Sequence, residues 1–165
     1  MSRGEAMEIY FVRHGEAEDG AMGGEGDAAR RLTAHAVRGM KQEGEALSGL
    51  GVKVDKIISS PLARAVQTAE LLREALQVRE PISSDPRLEP GFSAEKLDAI
   101  LAELPGFSTL MLVGHEPSFS RVVGEITGGS RLKFEKGGVA RVTRAEGPSP
   151  AYALAWLLPP RLLRD

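Results

Sequence analysis

Two of the three histidines in this chain stand beside features that make an imidazole useful. Arg13-His14-Gly15 follows the apolar run Ile9-Tyr10-Phe11-Val12. A buried strand ending there delivers a permanent cation and a nucleophilic side chain to the C-terminal edge of a sheet, where ligands of open α/β sheets bind. Two later segments repeat that placement. Ile57-Ile58-Ser59-Ser60-Pro61 leads into Leu62-Ala63-Arg64, and Leu112-Val113-Gly114 leads into His115-Glu116-Pro117. Arg13 and Arg64 are two guanidinium forks suited to bidentate phosphate recognition. His14 and His115 would flank the anion they hold. A neutral imidazole nitrogen attacks phosphorus and carries the phosphoryl group covalently. Two arginines and a second, protonated histidine stabilise charge on the equatorial oxygens during in-line transfer. Each piece alone reads as an ordinary surface or helix-start residue; their joint occurrence at three strand ends is what points to a site.

The elements that must position these residues follow from hydrophobic periodicity. Strands are predicted over Glu8–Val12, Lys56–Ser59, Thr109–Val113, Lys133–Glu135, Val139–Thr143 and Tyr152–Leu158, and helices over Thr33–Leu50, Pro61–Leu76, Ala94–Glu103 and Pro117–Thr127. Thr33 is placed as an N-cap. Pro61 and Pro117 are read at the first position of their helices, where a missing N–H costs nothing. Such helix ends turn free N–H groups and a positive dipole toward the strand ends. Gly137-Gly138 reads as a tight hairpin turn. The alternation implies an α/β fold, a three-layer sandwich whose mostly parallel central sheet carries helices on both faces. All of residues 1–165 are expected to form one domain.

Composition narrows the chemistry. With 21 Lys and Arg against 23 Asp and Glu, a net charge of −2 offers no general attraction to nucleic acid or anionic membrane, so an anion must be recognised by a few placed residues. The absence of cysteine excludes disulfides, thiolate metal sites and a cysteine nucleophile. No apolar stretch approaches the ~18 residues of a membrane span, and residues 1–7 lack a signal-peptide core, so a soluble, cytoplasmic monomer is expected. His35 lies in a helical pattern and reads as structural or exposed. The three histidines show no ligand spacing, and neither metal nor cofactor is expected. Gly24-Glu25-Gly26-Asp27-Ala28-Ala29 loosely fits a dinucleotide motif. It neither follows a strand directly nor opens a helix in this reading, and its carboxylates would repel a pyrophosphate.

Arg13-His14-Gly15-Glu16, the run Ser59-Ser60-Pro61-Leu62-Ala63-Arg64-Ala65-Val66-Gln67-Thr68-Ala69, and Val113-Gly114-His115-Glu116-Pro117 resemble the histidine phosphatase superfamily, also called the phosphoglycerate mutase-like fold. The shortness of the chain and the Gly-His-Glu-Pro form most resemble its small, SixA-like phosphohistidine phosphatase branch. Asp27–Thr33 and the closing Leu157-Leu158-Pro159-Pro160 extend the similarity over nearly the whole chain. The residues alone leave the choice of nucleophile between His14 and His115 open, leaning to His14 because it directly follows a central strand. The resemblance implies His14 as nucleophile, with Arg13, Arg64 and His115 completing a metal-free phosphate pocket.

Ester-cleaving members of that superfamily carry an acidic proton donor, typically in Leu-x-Glu. Here Arg87-Leu88-Glu89-Pro90 puts the carboxylate one position early, so Glu89 is a candidate donor and a solvated loop glutamate is the competing reading. Glu16, Glu18 and Asp19 read as a polar loop. An alkoxide leaving group needs a proton in the transition state. A phosphohistidine releases imidazole, whose conjugate acid has a pKa of about 6.5, and needs far less help. With no long insertion to form a lid, the pocket is expected to admit a protein side chain. The expectation is therefore a phosphatase acting on protein phosphohistidine through a covalent intermediate. One alternative is a phosphatase of small phosphate monoesters with Glu89 as acid; another is a phosphate-binding domain without catalysis. Whether Gly20–Gly26 closes over substrate is left open.

Overall fold

A computed structural model describes residues 6–20, 25–149 and 151–164. Six strands form one sheet in the order β3-β2-β4-β1-β5-β6, built from β1 (Met7–Arg13), β2 (Lys56–Ser59), β3 (Ser83–Ser84), β4 (Thr109–Gly114), β5 (Val139–Arg144) and β6 (Tyr152–Leu158). β1, β2, β3 and β4 run parallel, and β5 and β6 extend the sheet antiparallel beyond β1. The helices are α1 (Glu25–Ala28), α2 (Ala34–Gly49), α3 (Ala63–Ala75), α4 (Ala94–Ala102) and α5 (Ser118–Ile126). This is the α/β sandwich with a mostly parallel sheet that the periodicity implies.

Side-chain alternation along the strands divides the core into two layers. Tyr10, Val12, Ile57, Met111 and Val113 point to the face covered by α2 and α3, where Met40, Leu47, Ala69 and Leu72 meet them. Ile9, Phe11, Ile58, Leu110 and Leu112 point to the face covered by α4 and α5. There Phe119 stands edge-on to Phe11, with ring centroids 5.4 Å apart, which ties the first turn of α5 to the central strand. Because β1 and β4 are buried on both faces, Ile9–Val12 and Leu110–Val113 read as unbroken apolar runs.

Local signals set the helix ends. Thr33 caps α2 by accepting a hydrogen bond from Ala36 N at 3.0 Å, and Ser93 caps α4 by accepting from Lys96 N at 3.3 Å. Pro61 and Pro117 lie earlier than predicted. Leu62 is the N-cap of α3 and Pro117 that of α5, so each proline shapes the turn out of its strand rather than the first helical position. In α5 the capping oxygen comes from Glu116, whose Oε1 accepts from Ser120 N at 2.8 Å.

Two expectations fail around β1. Lys133–Glu135 is irregular rather than a strand: its one apolar side chain, Phe134, is buried against Phe119, and both edges of β5, its partner in the expected hairpin, are taken by β1 and β6. Gly137-Gly138 is consequently not a hairpin. Gly137 adopts φ +84°, which favours glycine, and donates its N–H to the carbonyls of Arg13 (3.0 Å) and His14 (3.1 Å). The short β3 and α1 have no counterpart in the sequence reading. Among the described residues no helix is long and apolar enough to cross a membrane.

Candidate active site

The parallel register brings the predicted strand ends to one edge. Arg13 pairs with Gly114 and Ser59 with Val113, so His14, Ser60 and His115 leave neighbouring strands side by side. Backbone bonds fix them there: His14 N donates to Gly114 O at 3.1 Å and Ser60 N to Val113 O at 2.9 Å. The two imidazoles are buried with ring centroids 5.1 Å apart and planes tilted by 58°.

The hydrogen bonds of His14 assign its tautomer. Nδ1 lies 2.6 Å from the carbonyl of Gly15, which only accepts, so Nδ1 carries the proton and Nε2 presents its lone pair. Arg64, in the first turn of α3 and buried, donates from Nε to that Nε2 at 3.3 Å. Thr68, one turn further along α3, holds the same loop. Its hydroxyl accepts from Gly15 N at 3.1 Å and donates to Arg64 O at 2.8 Å. His115 Nε2 lies 2.8 Å from the Ser60 hydroxyl, which also accepts from Leu62 N at 3.3 Å. Arg13 donates from Nη1 to Phe134 O at 2.9 Å, and its buried Nε has no partner among the described residues.

Electrostatics hold both imidazoles neutral. Burial lowers the pKa of His14 to about 4, with the charges of Arg64, Arg13 and Arg30 acting the same way against the bond to Gly15. Burial lowers that of His115 to about 3, assisted by His14, Arg64 and Arg13 and opposed by Asp27. His115 is thus neutral in the unliganded site, with burial leading and the neighbouring guanidinium charges assisting; the protonated second histidine expected from the sequence belongs to the site with a phosphoryl group in it.

Two contributors are given no role in the sequence reading. Asp27 on α1 approaches Arg30 Nη1 with Oδ1 at 3.1 Å and Arg64 Nη2 with Oδ2 at 3.5 Å, while its carbonyl accepts from Arg64 Nη1 at 3.0 Å. Arg30 is anchored further by Nε to Glu18 O at 2.9 Å. Both lie in the Asp27–Thr33 stretch that carries part of the family resemblance, and Asp27 also lies in the rejected dinucleotide-like motif. That segment does open a helix, the single turn Glu25–Ala28, but Asp27 spends its carboxylate on the two arginines.

Glu89 ends the 3₁₀ turn Pro86–Leu88 at the same edge of the sheet. The Leu88 carbonyl lies 3.3 Å from where a Cβ on Gly114 would sit, so the turn presses on the end of β4. The Glu89 carboxylate is half-buried and makes no hydrogen bond among the described residues. Glu16, Glu18 and Asp19 are not buried against the imidazoles: Glu18 and Asp19 are exposed and Glu16 faces Lys136 at 3.9 Å. His35 is exposed on α2, away from the other two histidines. Residues 21–24 of the Gly20–Gly26 stretch lie outside the described residues, and so does the first glycine of the dinucleotide-like motif. Among the described residues no group of three or more His, Asp or Glu side chains is arranged to hold a metal ion.

Comparison with known proteins gives this geometry a context. The sequence profile described as Histidine phosphatase superfamily (branch 1) matches residues 9–90. A protein of Picosynechococcus sp. described only as uncharacterized is 33% identical over 172 residues, covering 93% of this chain and 100% of its own. Phosphohistidine phosphatase SixA of Escherichia coli is 26% identical over 151 residues, covering 88% of this chain and 91% of its own. Among solved structures, the protein histidine phosphatase SixA complexed with tungstate superposes with a TM-score of 0.84 at 25% identity, covering 96% of this chain and 100% of that one. The alpha-ribazole phosphatase of Shigella flexneri shares the fold alone, with a TM-score of 0.72 at 19% identity over 92% of this chain and 96% of that one.

Proposed function

The chain belongs to the histidine phosphatase superfamily, and from that premise we propose that it is a phosphatase acting on protein phosphohistidine, with His14 as the covalent carrier. The observation that carries this reading is the orientation of His14: Nδ1–H is spent on Gly15 O, and Nε2 faces the Arg64 guanidinium across 3.3 Å. A phosphoryl group arriving at Nε2 would displace that contact and meet Arg64 and the unpartnered Nε of Arg13.

The protons balance without an external acid when the leaving group is imidazole. A substrate phosphohistidine whose other ring nitrogen carries a proton leaves as neutral imidazole when its P–N bond breaks. Neutral His14, already protonated at Nδ1, becomes the N-phosphorylated imidazolium. Water then adds to phosphorus, the P–Nε2 bond breaks, and both hydrogens of the water leave with dihydrogen phosphate. Arg13 and Arg64 stabilise the equatorial oxygens in each step. The anion also reverses the field on His115, favouring its protonation beside the transferring group. An ester would instead release an alkoxide that must be protonated, a task for which Glu89, on the turn that presses on the end of β4, is the candidate. The likeness to SixA, whose name states the phosphohistidine activity, supports the same substrate class.

The test uses a carrier protein labelled with ³²P on histidine. Wild type releases inorganic phosphate and, on rapid acid-free quench, shows label on His14. His14→Ala abolishes both, and activity withstands chelators because no step uses a metal. Glu89→Gln leaves phosphohistidine turnover within about threefold while depressing turnover of phosphate monoesters on the order of a hundredfold, the range of a lost general acid. Faster turnover of small sugar phosphates than of the labelled protein would sink the substrate assignment.

A further inference from the structure

Beside the mouth of the site runs a groove whose arginines form no ion pair among the described residues. One wall is the first two turns of α5, beginning at Pro117, two residues after His115, and including Ser120 and Arg121. The other is the segment carrying Ser130, Arg131 and Leu132. This second wall is pinned at both ends. Gly129 N donates to Gly124 O at 2.7 Å, and a Cβ on Gly124 would lie 2.2 Å from Ser130 O, so only glycine lets the segment lie this close to α5. At its other end, Phe134 is buried against Phe119 and its carbonyl holds Arg13. The groove is therefore preformed, and the segment that walls it is tied to the phosphate pocket through the hydrogen bond from Arg13 to the Phe134 carbonyl.

Arg121, Arg131 and the adjoining Lys133 are exposed, and none has a carboxylate within 4.0 Å among the described residues. Their neighbours differ: Lys136 faces Glu16 and Arg161 pairs with Glu135. The one acid in the groove, Glu125, sits a turn beyond Arg121 at the end far from Pro117. The chain as a whole carries −2, so this local excess is not a matter of composition.

We infer that the groove docks the substrate protein by an acidic segment adjoining its phosphohistidine. The inference rests on the phosphohistidine reading and adds to it the charge of the partner's surface. Complementary charge beside a reactive centre raises the encounter rate and fixes orientation, and salt weakens it.

Three probes decide it: phosphohistidine itself, and two peptides of equal length carrying one phosphohistidine flanked by glutamates or by glutamines. Wild type is expected to show kcat/KM about three- to tenfold higher for the glutamate peptide at low ionic strength, the range for two exposed ion pairs. The advantage disappears at about 0.5 M salt, where the Debye length is only a few ångströms. The double variant Arg121→Glu with Arg131→Glu loses or inverts the preference and hydrolyses free phosphohistidine at the wild-type rate. Equal wild-type rates on the two peptides overturn the docking site, as does a preference retained in the double variant or a matching loss on free phosphohistidine. Failure of wild type on all three probes, with phosphate monoesters still cleaved, overturns the phosphohistidine reading and the docking site with it.

Discussion

His14 is held ready as a neutral base by forces that would disable an ordinary general-acid histidine. Burial comes first among them and the guanidinium charges follow, so the imidazole stays unprotonated down to about pH 4. The form with a free Nε2 lone pair is then populated throughout the neutral range, and with His14 as the proposed nucleophile the acid limb of reactivity should fall near pH 4 rather than near the ordinary 6.5. Nitrogen-detected NMR of the histidines is the direct check. At neutral pH His14 should show the Nδ1-protonated tautomer, and saturating tungstate should raise the pKa of both active-site rings as the anion reverses the local field. Arg64→Ala should raise the His14 value, since it removes one of the charges that lower it, yet leave it below 6.5 because burial persists. Titration of His14 at 6.5 in the unliganded wild type would contradict this account. The four central residues were legible in the sequence because arginine and histidine at strand ends are chemically conspicuous. Asp27 and Arg30 were not, since their role depends on α1 folding back over α3, a contact between segments that no local pattern encodes.

At the scale of elements, the site is the meeting of β1, β2 and β4 with the start of α3. The central strands β1 and β4 were legible because strands buried on both faces are continuous apolar runs, and the start of α2 because Thr33 carries a capping hydroxyl. The misread segment, Lys133–Gly138, is one whose conformation is dictated by partners elsewhere: Arg13 takes the Phe134 carbonyl, and the carbonyls of Arg13 and His14 take the Gly137 N–H. Thr68 joins α3 to the end of β1 in the same non-local way, with one hydroxyl serving Gly15 N and Arg64 O. Thr68→Val keeps the shape and removes both bonds, leaving a buried N–H unpaired. Such a loss costs about 1–3 kcal/mol. Urea denaturation should register that destabilisation, and kcat should fall further than the stability change alone explains, because the Gly15 carbonyl that sets the His14 tautomer loses its support. A variant as stable and active as wild type would show that the hydroxyl bridge is dispensable.

Across the whole molecule, the pH dependence of stability is set by three buried groups of opposite behaviour. His14 and His115 have folded pKa values of about 4 and about 3, below their ordinary 6.5, so between those values and 6.5 the unfolded chain binds up to two more protons than the native one. Glu43 of α2 is wholly buried, with neither carboxylate oxygen hydrogen-bonded among the described residues. Burial raises its pKa from 4.5 to about 8, against the pull of Arg164, whose Nη2 lies 4.0 Å away. From pH 4.5 to 8 the native chain therefore holds one proton more on this group. Below pH 6.5 the histidines outweigh Glu43, two protons against one, and stability falls as pH drops; above 6.5 Glu43 acts alone and stability falls as pH rises. Each net proton changes stability by about 1.4 kcal/mol per pH unit, which places the maximum contributed by these groups near pH 6.5. Glu43→Gln reproduces the protonated form at all pH values, so it should abolish the decline between pH 6.5 and 8 and leave the acid limb in place. Phosphate should do the reverse, stabilising by mass action and flattening the acid limb, because imidazoles that accept protons beside the anion in the native state reduce the excess of protons bound by the unfolded chain. Urea midpoints from pH 4.5 to 8.5, for both chains with and without phosphate, separate the two limbs. An alkaline decline that survives Glu43→Gln would assign that limb to another group.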